Sequence, residues 1–225
     1  LTITHAALRD KHVRASDRSV ANYAFYFGAT NDNLEAIKTV DHSLACGIKV
    51  FMGASTGNML VDDLNTLEGI FSSTSLIIAT HCEDTPTILA NEAKAKQAFG
   101  ENIPITEHPN IRSEHACYLS SSLAVELARR HGTRLHVLHL TTAKEMELFE
   151  CGDLGDKRIT AEACVHHLFF NDSWYAEKGS HIKCNPAIKT AADQQALLEA
   201  VNEDRIDVIA TDHAPHTLEE KAQPY

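Results

Sequence analysis

Four residues of the 225-residue chain stand where apolar runs give way to polar loops, and their types suit one kind of chemistry. Lys49 lies in IKVFMG, His81 ends SLIIATH, His139 falls near the end of RLHVLHL, and Asp212 ends DVIATD. Histidine and aspartate are good ligands for zinc and its neighbours. Lysine is not, because a protonated ammonium has no lone pair. Lys49 fits the set only if its amine is carboxylated to a carbamate, which is anionic and can bridge two cations. Taken singly, a histidine at a strand end is usually a hydrogen-bonded structural residue. Four such groups from four separate runs favour a metal centre assembled from distant parts of the chain. VIATDHAPH poses the matter sharply, since its apolar residues lead straight into Asp212, His213 and His216, and buried polar groups cost free energy unless something satisfies them.

Other polar groups read more plainly. His166 and His167, in ACVHHLFF, are expected on a strand, where adjacent side chains point to opposite faces, so at most one could face a site and both are taken as structural. His136 is out of phase with His139. Glu83 and Asp84, in HCED, are expected to be loop carboxylates. Thr-Gly-Asn at 56–58 reads equally as an anion loop or an ordinary glycine turn.

The elements that must carry these residues alternate. Strands are expected near 22–29, 48–53, 75–81, 134–140, 158–164 and 207–213, apolar on both faces and separated by helices, which indicates a parallel sheet with helical crossovers. Asp32 and Glu35 mark a helix expected to run to Gly47. Thr142 with Glu145, and Thr190 with Asp193, have capping-box spacing, and the segment from SEHACYL closes on Gly132. A doubly wound sheet and a (β/α)8 barrel both fit this alternation, and both gather function at strand carboxyl ends. None of the six runs is followed by Gly-x-Gly-x-x-Gly or a Walker A loop.

Composition sets the outer bounds. Hydrophobic residues make up 44% and charged residues 23%, and no linker divides the chain, so residues 1–225 are read as one domain. Twenty Lys and Arg against 31 Asp and Glu give a net charge of −11, which argues against nucleic acid or an anionic membrane as partner. Six scattered cysteines suggest neither a zinc ribbon nor a disulfide framework. No apolar run is long enough to span a bilayer, and a cytoplasmic protein is expected.

ATDHAPHTLEEK, HCED, HVLHLTTA, TAEACVHHL, IKCNPAIKT and IKVFMGASTGNML together resemble dihydroorotase of the amidohydrolase superfamily, over nearly the whole chain and in that family's order. The resemblance implies a (β/α)8 TIM barrel, here with about six of its eight strand–helix units. It implies two Zn2+ ions bridged by carboxylated Lys49, with His81 and His139 on the second metal and Asp212 on the first, where Asp212 also shuttles the proton. Asn185, Ala214 and His216 are implied as substrate contacts, although this chain has PAIK where the family usually has a longer Pro-Pro-Leu-Arg ending. The implied reaction is the reversible hydrolysis of dihydroorotate to N-carbamoyl-aspartate in pyrimidine biosynthesis, by a chain that could form a homo-oligomer. The family's His-x-His pair and final helix have no counterpart here, so the 225 residues are expected to be the interior of a longer chain, unstable and inactive alone. The alternatives are an allantoinase or hydantoinase, or a non-catalytic scaffold that partners aspartate transcarbamoylase.

Overall fold

The computed structural model describes residues 1–53 and 59–223; the Thr-Gly-Asn turn at 56–58 lies outside them. In chain order the elements are α1 (His5–Arg18), β1 (Phe25–Gly28), α2 (Leu34–Lys38), β2 (Ala45–Phe51), α3 (Leu64–Ser73), β3 (Ile78–His81), α4 (Thr85–Phe99), α5 (His108–Ile111), α6 (Glu114–His131), β4 (Leu135–Val137), β5 (Ile159–Cys164), α7 (Val165–Phe169), α8 (Tyr175–Lys178), α9 (Ala191–Asn202), β6 (Val208–Ala210) and α10 (Leu218–Lys221). Short 3-10 turns fill several of the connections. Each expected strand is present, five of them shortened at their ends and β2 beginning three residues before its expected start.

All strand pairs among the described residues are parallel, and their order across the sheet is the order of the chain, β1 to β6. A sheet built by adding each new strand beside the last, with a helix returning outside, curls in one sense and forms an incomplete (β/α) barrel. The main core lies between sheet and helices and includes Phe27, Ile48, Ile70, Phe71, Ile78, Leu127 and Leu135, each at most 1% exposed. Full burial of a side chain of this size contributes roughly 1.5–3 kcal/mol, so the β2–β4 interior is the best-anchored part of the molecule.

Local signals explain most boundaries. Ser113 caps α6 by accepting from the Ala116 amide, and Gly132 ends it in the left-handed conformation at φ 64°. Thr190 and Asp193 make a complete capping box on α9. Thr142 accepts from the Glu145 amide as its spacing predicts, but the segment that follows is a 3-10 helix, Lys144–Leu148. The helix after Asp32 departs from expectation: it starts from Asn33 and ends at Lys38. Asp41 then accepts from the Ser43 amide at 2.8 Å and turns the chain, so that Gly47 falls inside β2. Gly47 is needed there because a Cβ would come within 2.7 Å of the Ile77 carbonyl oxygen.

Candidate active site

Three of the predicted residues are linked in a row at the carboxyl ends of β2, β3 and β4, Lys49 and His81 through the Phe51 ring and His81 to His139 directly. The Lys49 ammonium lies 4.4 Å from the centroid of Phe51, and the Phe51 ring lies 5.7 Å from that of His81. The parallel register places Phe51 opposite His81, with Lys49 two residues earlier on the same side of β2. His81 and His139 then meet directly, Nδ1 to Nε2, at 3.1 Å. Both imidazoles are buried.

A chain of charged groups orients this pair. His81 Nε2 lies 2.9 Å from Glu83 Oε2, which also accepts from Arg112 at 2.5 Å. A carboxylate can only accept, so Nε2 carries the proton and Nδ1 presents a lone pair toward His139. Glu83 is therefore a buried anchor, whereas its position in HCED suggests a solvated loop carboxylate. Burial alone would raise its pKa, but the hydrogen bond from His81 and the charge of Arg112 hold it below the usual carboxylate value. Asp84 instead caps α4 through the Thr87 amide. On the far side of the pair, the His139 amide donates to Glu162 Oε1 at 3.2 Å, and Glu162 Oε2 lies 3.2 Å from His136 Nε2.

Burial shapes the electrostatics of the centre. It lowers the Lys49 pKa to about 8, against the opposing fields of Cys82, Asp212 and Glu162. It also drives His139 well below 6.5, helped by His81, Lys49 and His167. His139 Nδ1 is buried with no hydrogen-bond partner among the described residues. A neutral imidazole with a bare nitrogen, facing a second imidazole whose proton is fixed by a carboxylate, fits a divalent cation well. A primary amine pushed toward its neutral form is likewise the species that can react to form a carbamate.

Asp212 sits apart from the pair. It is exposed, and the described hydrogen bonds do not join it to His81 or His139, though its field reaches Lys49. Together with Asn185, Ala214 and His216 it lines a cavity of about 450 Å³, so the substrate contacts implied by the sequence share one wall with the implied proton shuttle. His216 Nδ1 is held 2.8 Å from the Ala214 carbonyl oxygen. His213 is exposed and faces a neighbouring cavity beside Thr211 and Asp212. His139 and Asp212 share an uncommon backbone state, φ 41° and 42°. A left-handed conformation at a non-glycine residue costs of order 1–3 kcal/mol and clusters at functional positions.

Sequence reasoning missed several neighbours. Lys183 and Lys221 line the same cavity, and the Lys221 ammonium donates to the Lys183 carbonyl oxygen at 2.6 Å. Burial, then the charges of Arg112 and Lys221, lower the Lys183 pKa, and the same lining also carries the carboxylates of Asp212 and Glu220. His166 and His167 lie on α7, so strand alternation does not separate them, and their ring centroids are 4.2 Å apart. A larger cavity of about 910 Å³ opens toward the strand starts, near Tyr26, Ile77 and Arg134, at the barrel end that does not carry function.

The chain is 36% identical over 147 residues to a dihydroorotase of Carboxydothermus hydrogenoformans, covering 65% of this chain and 33% of that protein. An allantoinase of Bacillus velezensis is 26% identical over 218 residues, 95% of this chain and 48% of the relative. The chain is a dihydroorotase-like member of the amidohydrolase superfamily. Its fold matches L-hydantoinase from Arthrobacter aurescens with a TM-score of 0.89 at 24% identity, over 98% of this chain and 49% of the neighbour. No protein-family model matches. The chain thus spans half or less of the length of the relatives it matches. Among the described residues no helix is long and apolar enough to cross a membrane.

Proposed function

We propose that this chain carries most of the catalytic centre of a cyclic amidohydrolase, and that its reaction is the reversible hydrolysis of dihydroorotate to N-carbamoyl-aspartate. The observation that carries the reading is the shared placement of Asp212, Asn185 and His216 around one cavity, with the field of Asp212 reaching the half-buried Lys49, beside the buried pair His81 and His139. Lys49 as a carbamate, His81, His139 and Asp212 would hold two divalent zinc-type ions, which supply an activated water at neutral pH and polarise the amide carbonyl.

Asp212 takes a proton from the water that attacks the ring carbonyl. As the ring C–N bond breaks, the same carboxylic acid returns that proton to the departing nitrogen, giving a carboxylate and a ureido group. The Asn185 amide and His216 ring offer polar contacts to the substrate at the cavity wall. Lys183 and Lys221 favour a substrate that carries a carboxylate. Dihydroorotate has one, while the parent rings of hydantoin and allantoin have none, and this favours dihydroorotase over its two relatives. The six cysteines are free, in keeping with a reducing cytoplasm.

The test uses the complete gene product, assayed in parallel on N-carbamoyl-aspartate, allantoin and hydantoin. Cyclisation of N-carbamoyl-aspartate is expected in the wild type. Asp212→Asn should slow it by about 10²–10⁴-fold, and Lys49→Ala should lower bound metal. Ring opening of allantoin or hydantoin without action on N-carbamoyl-aspartate would reject the dihydroorotase reading. A folded product without metal or any of the three activities would point to the scaffold.

A further inference from the structure

The turn from β5 into α7 holds a second cluster of donor atoms, which the proposed reaction does not use. Cys164 Sγ, a ring nitrogen of His166 and a ring nitrogen of His167 all lie within 4.8 Å of one another. Cys164 and His167 are buried, while His166 is half-buried and lines the 450 Å³ cavity.

The tautomer of His167 can be read from its neighbours. Its Nε2 lies 3.1 Å from the Pro186 carbonyl oxygen, which can only accept, so Nε2 carries the proton and Nδ1 is a bare lone pair. That Nδ1 is buried and has no hydrogen-bond partner among the described residues, in a side chain only 4% exposed. Leaving a buried acceptor unpaired is unfavourable, and a cation would remove that cost. An imidazole whose second nitrogen donates to a backbone carbonyl is already oriented as a metal ligand. Cys184 braces the same ring, its Sγ lying 3.6 Å from His167 Nε2 and 3.3 Å from the Pro186 oxygen.

We infer that Cys164, His166 and His167 form a site for one thiophilic divalent cation of the zinc type, separate from the Lys49, His81, His139 and Asp212 set. One thiolate and two imidazoles make a soft-to-borderline donor set that selects zinc or cadmium over magnesium or calcium. Loading replaces the Cys164 S–H bond with a sulfur–metal bond and releases the proton to solvent, with no change of oxidation state. The cation enters from the cavity that His166 lines, so an occupied site narrows that cavity.

Cadmium alone is the probe, because its thiolate charge-transfer band in the ultraviolet reports only a sulfur-ligated ion, and the other proposed metal set contains no sulfur. The complete gene product is titrated in a background with the exposed Cys46 and Cys151 changed to serine. The band should saturate at one equivalent, disappear in Cys164→Ala and persist in Cys82→Ala. His166→Asn should require at least about tenfold more cadmium. Absence of the band in the background protein, or its survival in Cys164→Ala, would overturn the inference. Should Cys164→Ala fail to fold, the half-exposed His166→Asn decides alone, and an unchanged titration rejects the site.

Discussion

The two halves of the candidate site are built in opposite ways. The wall formed by β2, β3 and β4 is largely buried and cross-linked: Lys49 faces Phe51, His81 meets His139, and Glu83 ties His81 to Arg112. The rim beyond β6 is exposed from Thr211 through Glu220, and Ile209 within β6 is itself 55% exposed. Strands β2, β3 and β4 are each paired on both sides, whereas β6 pairs only with β5 among the described residues. The wall therefore holds its geometry without a ligand, and the rim depends on local turns and on whatever occupies the cavity. The contrast predicts that substitutions of the groups that brace the wall, such as Arg112, act mainly through stability, and those in the rim mainly through activity.

The largest effect should come from Arg112→Ala. It strands the Glu83 carboxylate, which is fully buried, and breaking a buried pair by removing one partner costs roughly 3–5 kcal/mol. Urea unfolding of the complete gene product measures this, and a loss below 1 kcal/mol would show that the wall is not held through Glu83. A similar ceiling applies to His108, whose pKa burial lowers to about 4, with Nε2 2.8 Å from the Cys184 carbonyl oxygen. Between about pH 6.5 and 4 the unfolded chain binds this proton and the folded chain does not. Stability is therefore complete above 6.5 and falls with pH through that window, by up to about 3 kcal/mol. The His108→Gln variant should lose much of that slope.

Gly53→Ala comes next. A Cβ there would lie 1.4 Å from the Glu83 carbonyl oxygen, so the backbone after β2 or the loop after β3 must move, at a cost of typically 1–3 kcal/mol. Unfolding should shift accordingly, with a weaker His81–Glu83 contact seen in the histidine NMR signals. Thr190→Ala removes the α9 cap, away from both halves, and should cost about 1 kcal/mol. The smallest change in stability belongs to Asp212→Asn, within about 0.5 kcal/mol for an exposed residue. A melting shift as large as that of Arg112→Ala would erase the distinction between wall and rim.

The strands were legible because their residues are apolar on both faces, and that pattern depends on nothing distant. Helix ends at Ser113, Gly132 and Thr190 were legible because caps are local. Glu83 and Glu162 were not, since a carboxylate in a short polar stretch is an anchor only when a partner such as Arg112, 29 residues away, closes over it. The misplaced end of α2 has a similar origin, as the Asp41 turn competes with a helical pattern that the residues alone would continue. His166 and His167 were assigned to opposite faces by reading ACVHHLFF as extended, whereas β5 stops at Cys164, where the strand was expected to end, and α7 begins at Val165.

Because the strands stand side by side in chain order, the perimeter of this site is a linear text bent into an arc. Lys49, His81, His139, Glu162 and Asp212 occur around it in the order in which a ribosome would add them. Each chemical group thus travels with its own strand and following loop, and a lengthened loop can redraw the substrate's outline at one point of the arc while its neighbours keep their places.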